Sequence, residues 1–415
     1  MTGPLAHRRA RMGGRDPHEA HRVATPLELL FDLTFVVAYG MVADELAHFL
    51  AEDHVKTALL GFALGGFSIT WAWINFSWFA SAFDVDDWVY RLTTMLQMIG
   101  VVIVALGLPA MFESIDEGAH VDNAVMVGGY VVMRVAMLFQ WSRAARHDPE
   151  HRAASLTYIR WVALAQVGWI ALAIAQTSIL VTFIFVALLT LVEFAGPYVA
   201  ETRKGGTPWH AHHIAERYGL LIIIALGEGI IGTIASLSAV VGPEGPGWSV
   251  SAAVVALAGV GLTFGLWWAY FVVPFADFLH ARRERSFGWG YGHIPLFGAI
   301  VAVGAGLHVA AYFLEHHSEL SATGTLLTVA VPVSIYLMGL YLLYAALTRT
   351  IDPFHLLLIA LSAVVVAISV ALSAAGVSIT VTLLVLALAP WVTVVGYEAV
   401  GHRHNAEVLA SLPGR

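Results

Sequence analysis

The sequence predicts an all-α polytopic membrane protein of about twelve transmembrane helices, arranged as two parallel six-helix repeats with both termini cytoplasmic. Three observations predict it: the composition, the number of apolar segments and the placement of the basic residues. Of the 415 residues 59% are hydrophobic and only 12% charged, with a mean hydropathy of +0.76, whereas a soluble domain carries about 25% charged residues. That composition excludes a soluble enzyme, a disordered chain and a nucleic-acid binder. The formal net charge of -8 says little about partners. With no cysteine, the chain has no disulfide, thiolate metal site, iron–sulfur cluster or thiol nucleophile.

Residues 1–25 form a basic arm, with Arg8, Arg9, Arg11, Arg15 and Arg22 and no apolar run up to Val23. No cleavable signal peptide is expected, so the first span would remain as an anchor. Twelve apolar segments follow, near 26–46, 57–82, 89–111, 121–142, 155–175, 178–199, 214–238, 248–274, 289–313, 322–347, 354–374 and 378–399. Each is long enough to cross a hydrocarbon core of ~30 Å as a helix. Short seams at Gln176 to Ile179 and Gly376 to Ser378 leave ten or eleven spans as alternatives.

Charge placement favours twelve. With a cytoplasmic N-terminus, Lys and Arg should gather in the even-numbered turns. They do so at Arg91, at Arg143, Arg146 and Arg152, at Arg203, Lys204 and Arg217, at Arg282, Arg283 and Arg285, at Arg349, and at Arg403 and Arg415 in the tail. Arg160 sits near the inner end of the fifth span, Arg134 lies within the fourth, and only Lys56 falls in a turn assigned to the outside.

Internal matches suggest the repeat. Trp73 to Phe76, Asp84 and Gly100 to Gly107 recur as Trp268 to Phe271, Asp277 and Gly298 to Gly304; Tyr130 to Arg143 parallels Tyr336 to Arg349, and Val181 to Gly196 parallels Val381 to Gly396. An even number of spans per repeat makes the halves parallel, a class whose functional path usually lies between them. The expected divisions are a cytoplasmic arm (1–25), a first repeat (26–200), a cytoplasmic His-rich linker (201–213), a second repeat (214–400) and a cytoplasmic tail (401–415).

Ionisable residues inside a membrane are costly and are functional candidates by default. Pro26 suits a first helical turn with Thr25 as its cap. Glu28 and Asp32, four residues apart, share one helix face, with Asp32 ~9 Å below the helix start. Two like charges on one face call for cations, protons or an arginine partner. Glu28 also reads as a first-turn acid facing the positive end of its helix, and Asp32 as the ion-pair partner of Arg134. In the seventh span Glu216 and Arg217 stand at the cytoplasmic entrance. Glu228, between Gly227 and Gly229, lies ~18 Å farther along and on a different face; a helix-packing polar contact is its structural reading. Arg134 and Glu193 fall at a depth similar to Asp32 and suit a salt bridge, or else a proton-relay network.

Arg134, Arg143 and Arg146 do not form the every-third-residue ladder of a voltage sensor. Gln97, Asn75, His293 and His308 suit interhelical hydrogen bonds. The chain has 19 histidines. The groups His210, His212 and His213, His18 and His21, and His316 and His317 with Glu315 and Glu319, read as solvated loop residues. His18 and His21 stand too close together for the H-E-x-x-H zinc helix. No Walker loop, dinucleotide turn or nucleophile elbow occurs. Neither catalysis, a cofactor nor a metal is expected.

Arg22-Val23, Thr25 to Glu28 and Phe31-Asp32, together with His213, Glu216-Arg217 and Leu226-Gly227-Glu228, resemble the bacterial low temperature requirement protein A (LtrA) family over nearly the whole chain. The resemblance implies a multi-pass bacterial inner-membrane protein associated with growth in the cold, and it supplies no substrate. Phe31-Asp32 is also faintly similar to the Phe-Ser-Asp motif in the first helix of each repeat of two-repeat lysosomal potassium channels. In the second half the matching position reads Ile222-Ile223, with the acid displaced to Glu228.

Two functions follow as expectations. The first is cation permeation or proton-coupled transport of monovalent cations or protons, with Glu28, Asp32, Glu216 and Glu228 on the pathway and Arg134, Glu193, Arg217 and His213 tuning or pairing with them. The second is a non-transporting membrane factor that binds lipid or protein and supports growth at low temperature. The lipid bilayer is a partner in either case and nucleic acid in neither; the oligomeric state is open.

Overall fold

The computed structural model describes residues 10–19, 22–242 and 247–411. Arg8, Arg9 and His21 of the basic arm and Arg415 of the tail lie outside the described residues. Among the described residues the structure is all helical. Twelve helices are long and apolar enough to span a membrane: Pro26–Ala51, Val55–Phe83, Trp88–Glu117, Ala124–His147, Arg152–Ala175, Ile179–Arg203, Ala211–Val241, Val250–Ala281, Arg283–Leu314, Ala322–Thr348, Pro353–Ala374 and Ile379–Ala410.

Local chemistry sets the ends. Asp87, Ser249, Ser321 and Asp352 accept first-turn backbone N–H bonds as helix caps. Both short seams break the chain with left-handed backbone: Gln176 at φ 44° and Gly376 at φ 87°. A helix cannot continue through such a residue, so the spans on either side are separate. Pro109, Pro274 and Pro390 interrupt the third, eighth and twelfth spans without ending them.

The chain divides into two compact units, one of Met1–Met41 with Ala63–Arg217, the other of Val42–Phe62 with Tyr218–Arg415. In the first, the third and fourth spans pack closely because Gly100 and Gly129 face each other. A Cβ on Gly129 would stand 2.6 Å from the Gly100 carbonyl oxygen, so the two backbones touch. The described part of the basic arm is docked on this unit. Met12 is fully buried, the Gly14 N–H donates to Asp148 at 2.7 Å, and the Arg15 N–H donates to the Ala82 carbonyl at 2.9 Å. A stacked Trp141–Tyr158 pair, with Phe79 and Phe83 edge-on to Trp141, packs within the same unit.

In the second unit the seventh span meets the ninth at glycines: a Cβ on Gly232 would lie 2.5 Å from the Gly304 carbonyl oxygen, and one on Gly304 would lie 2.6 Å from Glu228. Small residues replace the missing hydrophobic drive between helices in lipid, since close backbone approach maximises dispersion contacts. Leu29, Leu30, Leu33 and Val37 on the first span, and Leu180, Leu188 and Leu191 on the sixth, are exposed apolar side chains suited to acyl chains.

Candidate functional site

The first unit holds a buried charge cluster at the start of the first span. Thr25 and Glu28 form a reciprocal capping box: the Thr25 N–H donates to Glu28 Oε2 at 2.8 Å and the Glu28 N–H donates to Thr25 Oγ1 at 3.3 Å. The other oxygen, Oε1, accepts from Arg217 Nη1 at 2.7 Å and lies 3.1 Å from His213 Nε2. One turn on, Asp32 Oδ1 accepts from Arg217 Nη2 at 2.5 Å and from Trp73 Nε1 at 2.7 Å. Arg217 therefore spreads its two terminal nitrogens over two acids four residues apart, which a planar guanidinium fork does and an ammonium cannot. Its plane lies near Trp73 and Phe76, 5.5 and 5.9 Å from their ring centroids, a favourable cation–π placement. The side chains of Glu28, Asp32, His213 and Arg217 have none of their surface exposed.

The cluster is incomplete in three places. Asp32 Oδ2, His213 Nδ1 and Arg217 Nε are buried, and among the described residues none of them has a hydrogen-bond partner. Next to Glu28 come Arg22, buried and donating to the Ala80 carbonyl at 2.9 Å, and the buried Asp84. Burial, with a smaller contribution from the Glu28 charge, pushes the Asp84 carboxyl up to about 6. Three carboxylates thus face two guanidiniums, and His213 or a carboxyl must take one proton for the set to be neutral.

Asp84 supplies a test of this electrostatics. Its folded-state pKa lies above its ordinary value of 3.8. Between those values the folded chain holds a proton that the unfolded chain has lost, so stability falls as pH rises through this window and stays lower above it. Asp84→Asn keeps an acceptor for the Asp86 N–H, now 2.9 Å from Asp84 Oδ1. It should stabilise the protein by up to about 3 kcal/mol at pH 8 and by almost nothing at pH 4. Melting midpoints in detergent at several pH values check this; a gain independent of pH would refute it.

Several sequence expectations change here. Asp32 pairs with Arg217 and not with Arg134. Arg134 is instead 3.1 Å from Glu193, whose carboxylate also accepts from Trp71 Nε1 at 2.9 Å and Trp169 Nε1 at 3.3 Å. A small cavity of about 30 Å³, lined by Phe67, Trp71, Tyr130, Trp169 and Glu193, adjoins this pair. His210 and His213 are buried and not solvated: helix Ala211–Val241 starts early enough to carry His213 into the cluster, and His210 hydrogen-bonds the Glu19 carbonyl at 2.9 Å. His212 is exposed. Glu216 is half-buried and accepts from the Ala24 N–H at 3.3 Å, since it points about 100° away from Arg217 around the helix.

Glu228 belongs to the second unit. It is buried against Gly304 and feels the charges of Asp44 and His308, which are 3.2 Å from each other. The sequence reading missed Trp73, Trp71 and Asp44. Tryptophans inside an apolar span are a usable signal, because an indole N–H buried in hydrocarbon needs an acceptor.

The profile of the family described as Bacterial low temperature requirement A protein (LtrA) matches residues 23–390, a stretch containing every residue of the cluster except Arg22. The chain belongs to the LtrA family. It is also similar to the uncharacterized protein RA0937 of Rhizobium meliloti (strain 1021), 26% identical over 297 residues, 67% of each chain. No solved structure matches. The faint similarity to lysosomal potassium channels finds no support among these matches. The LtrA assignment and the twelve apolar helices together make this a multi-pass integral membrane protein.

Proposed function

We propose that this LtrA-family protein is a proton-coupled ion transporter of the bacterial inner membrane, with the cluster of Glu28, Asp32, His213 and Arg217 as its proton-exchange site. The observation that carries the reading is the charge count: the buried acids Glu28, Asp32 and Asp84 outnumber Arg22 and Arg217, and two of the three orphaned atoms, Asp32 Oδ2 and His213 Nδ1, are places where a proton can reside. A buried net charge is expensive. Proton occupancy of the cluster is therefore tied to whatever neutralises it, whether a proton or a monovalent cation. Asp84, buried next to Glu28 and titrating near 6, supports proton passage at this end of the unit. Glu228, with Asp44 and His308 nearby, is a second buried acid that the pathway would use.

Proton and monovalent-cation flux in proteoliposomes tests the proposal on wild type, Asp32→Asn and Glu228→Gln. Asp32→Asn should lower flux at least tenfold while the protein still reconstitutes, and Glu228→Gln should lower it measurably. Equal flux in all three would remove both residues from the pathway.

A second reading is favoured by the completeness of the two Arg217 ion pairs. Here the acids assemble the helices of a non-transporting membrane factor that binds lipid or protein. It predicts that Asp32→Asn lowers folded yield and that no ion-dependent flux appears in the wild type.

A further inference from the structure

In the second unit, Asp352, His355 and His404 each offer one ligand atom, and these atoms all lie within 4.8 Å of one another. Asp352 caps the eleventh span: its Oδ1 accepts from the Phe354 N–H at 2.8 Å. That leaves Oδ2 directed at His404 Nε2, in close contact but without hydrogen-bond alignment, and both atoms are buried without a hydrogen-bond partner among the described residues. His355, one turn into the same helix, is buried. Its Nε2 is 2.6 Å from the Tyr397 hydroxyl, which fixes the orientation of the ring. The two imidazoles meet edge to face, with centroids 5.6 Å apart. The twelfth span widens into a π-helical turn at Tyr397–Gly401 and resumes at His402, two residues before His404. Such turns cost backbone energy and occur frequently at functional sites. The Tyr344 ring packs edge-on to His355 with centroids 4.4 Å apart, and its buried hydroxyl has no hydrogen-bond partner among the described residues.

We infer that Asp352, His355 and His404 form a binding site for a divalent transition-metal ion, Zn²⁺ being the best match. Two imidazoles and one carboxylate are borderline ligands that suit zinc and leave a fourth tetrahedral position open. Tyr397 plays the outer-shell part that metal-bound histidines require. Asp352 and His404 are partly exposed, so an ion has a way in. The bound ion would clip helix His402–Ser411 to the start of the eleventh span, two segments distant in the sequence. The ligands show no local metal motif for that reason.

The test uses the full chain purified in detergent, stripped with EDTA and titrated with Zn²⁺ against a chromogenic chelator, with Co²⁺ absorption reporting coordination. Wild type should take up one tight equivalent, give a tetrahedral Co²⁺ spectrum and melt at a higher temperature with zinc. His404→Gln and Asp352→Asn should each weaken binding at least tenfold and abolish the thermal shift; asparagine keeps the helix cap, so Asp352→Asn is expected to fold. Size-exclusion profiles verify folding. Absence of tight binding by wild type would overturn the assignment whatever the variants do. Equal binding by wild type and folded variants would overturn it too, by placing the zinc on other histidines.

Discussion

Replacing Arg217 by methionine is expected to destabilise the protein by about 3–5 kcal/mol, the usual consequence of stranding buried charges by removing one partner of an ion pair. Arg217 is fully buried and serves Glu28 and Asp32 at 2.7 and 2.5 Å. Without it two carboxylates remain one turn apart in a low-dielectric site, with His213 the nearest residue able to supply a positive charge. The loss should appear as a large drop in melting midpoint and in monodisperse yield. It should be largely recovered by adding Glu28→Gln and Asp32→Asn, because replacing a whole buried ionic group by neutral side chains is often close to neutral. Glutamine at position 28 also preserves the capping box with Thr25. A methionine variant as stable as wild type would show that the acids are not held as carboxylates.

Asp87→Ala is expected to cost as much or more, because one side chain does three jobs. Its Oδ1 accepts from the Tyr90 N–H at 2.8 Å and caps the third span, its Oδ2 accepts from the Ala10 N–H at 2.7 Å, and both oxygens pair with the buried Arg143. Removing it strands Arg143, for about 3–5 kcal/mol, and removes a cap worth about 1 kcal/mol. Asp87→Asn keeps a cap and should lose less, and Asp87→Asn with Arg143→Met less again. Burial alone would raise the Asp87 carboxyl, but its hydrogen bonds with Arg143, Tyr90 and Ala10 hold it below its ordinary value. Its contribution is therefore present above the unfolded-state pKa and lost as pH falls through the lower folded-state value. Melting midpoints of the three variants at neutral pH decide the matter. A small effect of Asp87→Ala would mean that residues 10–19 hold the helix end without it.

Much of this was legible in the chain. Thr25, Pro26 and Glu28 write a helix start into a single turn, and the four-residue spacing of Glu28 and Asp32 fixes them on one face, as found. The depth match of Arg134 and Glu193 likewise anticipated their ion pair. The cation serving Asp32 was not legible, because Arg134 and Arg217 are equally charged and only the packing of Ala211–Val241 against the first span in that unit brings one of them within reach. The same early helix start converts His213 from a linker residue into a buried neighbour of Glu28. Asp352, His355 and His404 illustrate the limit most clearly: no sequence spacing joins the third to the other two.

What is local or additive along the chain could be read from the residues alone: the apolar segments, the Thr25 cap, and the scarcity of charge that makes each membrane acid informative, whereas the left-handed breaks that separate the spans at Gln176 and Gly376 appeared only in the structure. Those properties depend on hydrophobicity, backbone sterics and hydrogen bonds within a few residues of one another. Partner choice for Asp32, the burial of His210 and His213, and the meeting of His404 with Asp352 were decided by tertiary packing. Each depends on distances between residues remote in sequence, which are defined only once the helices are assembled.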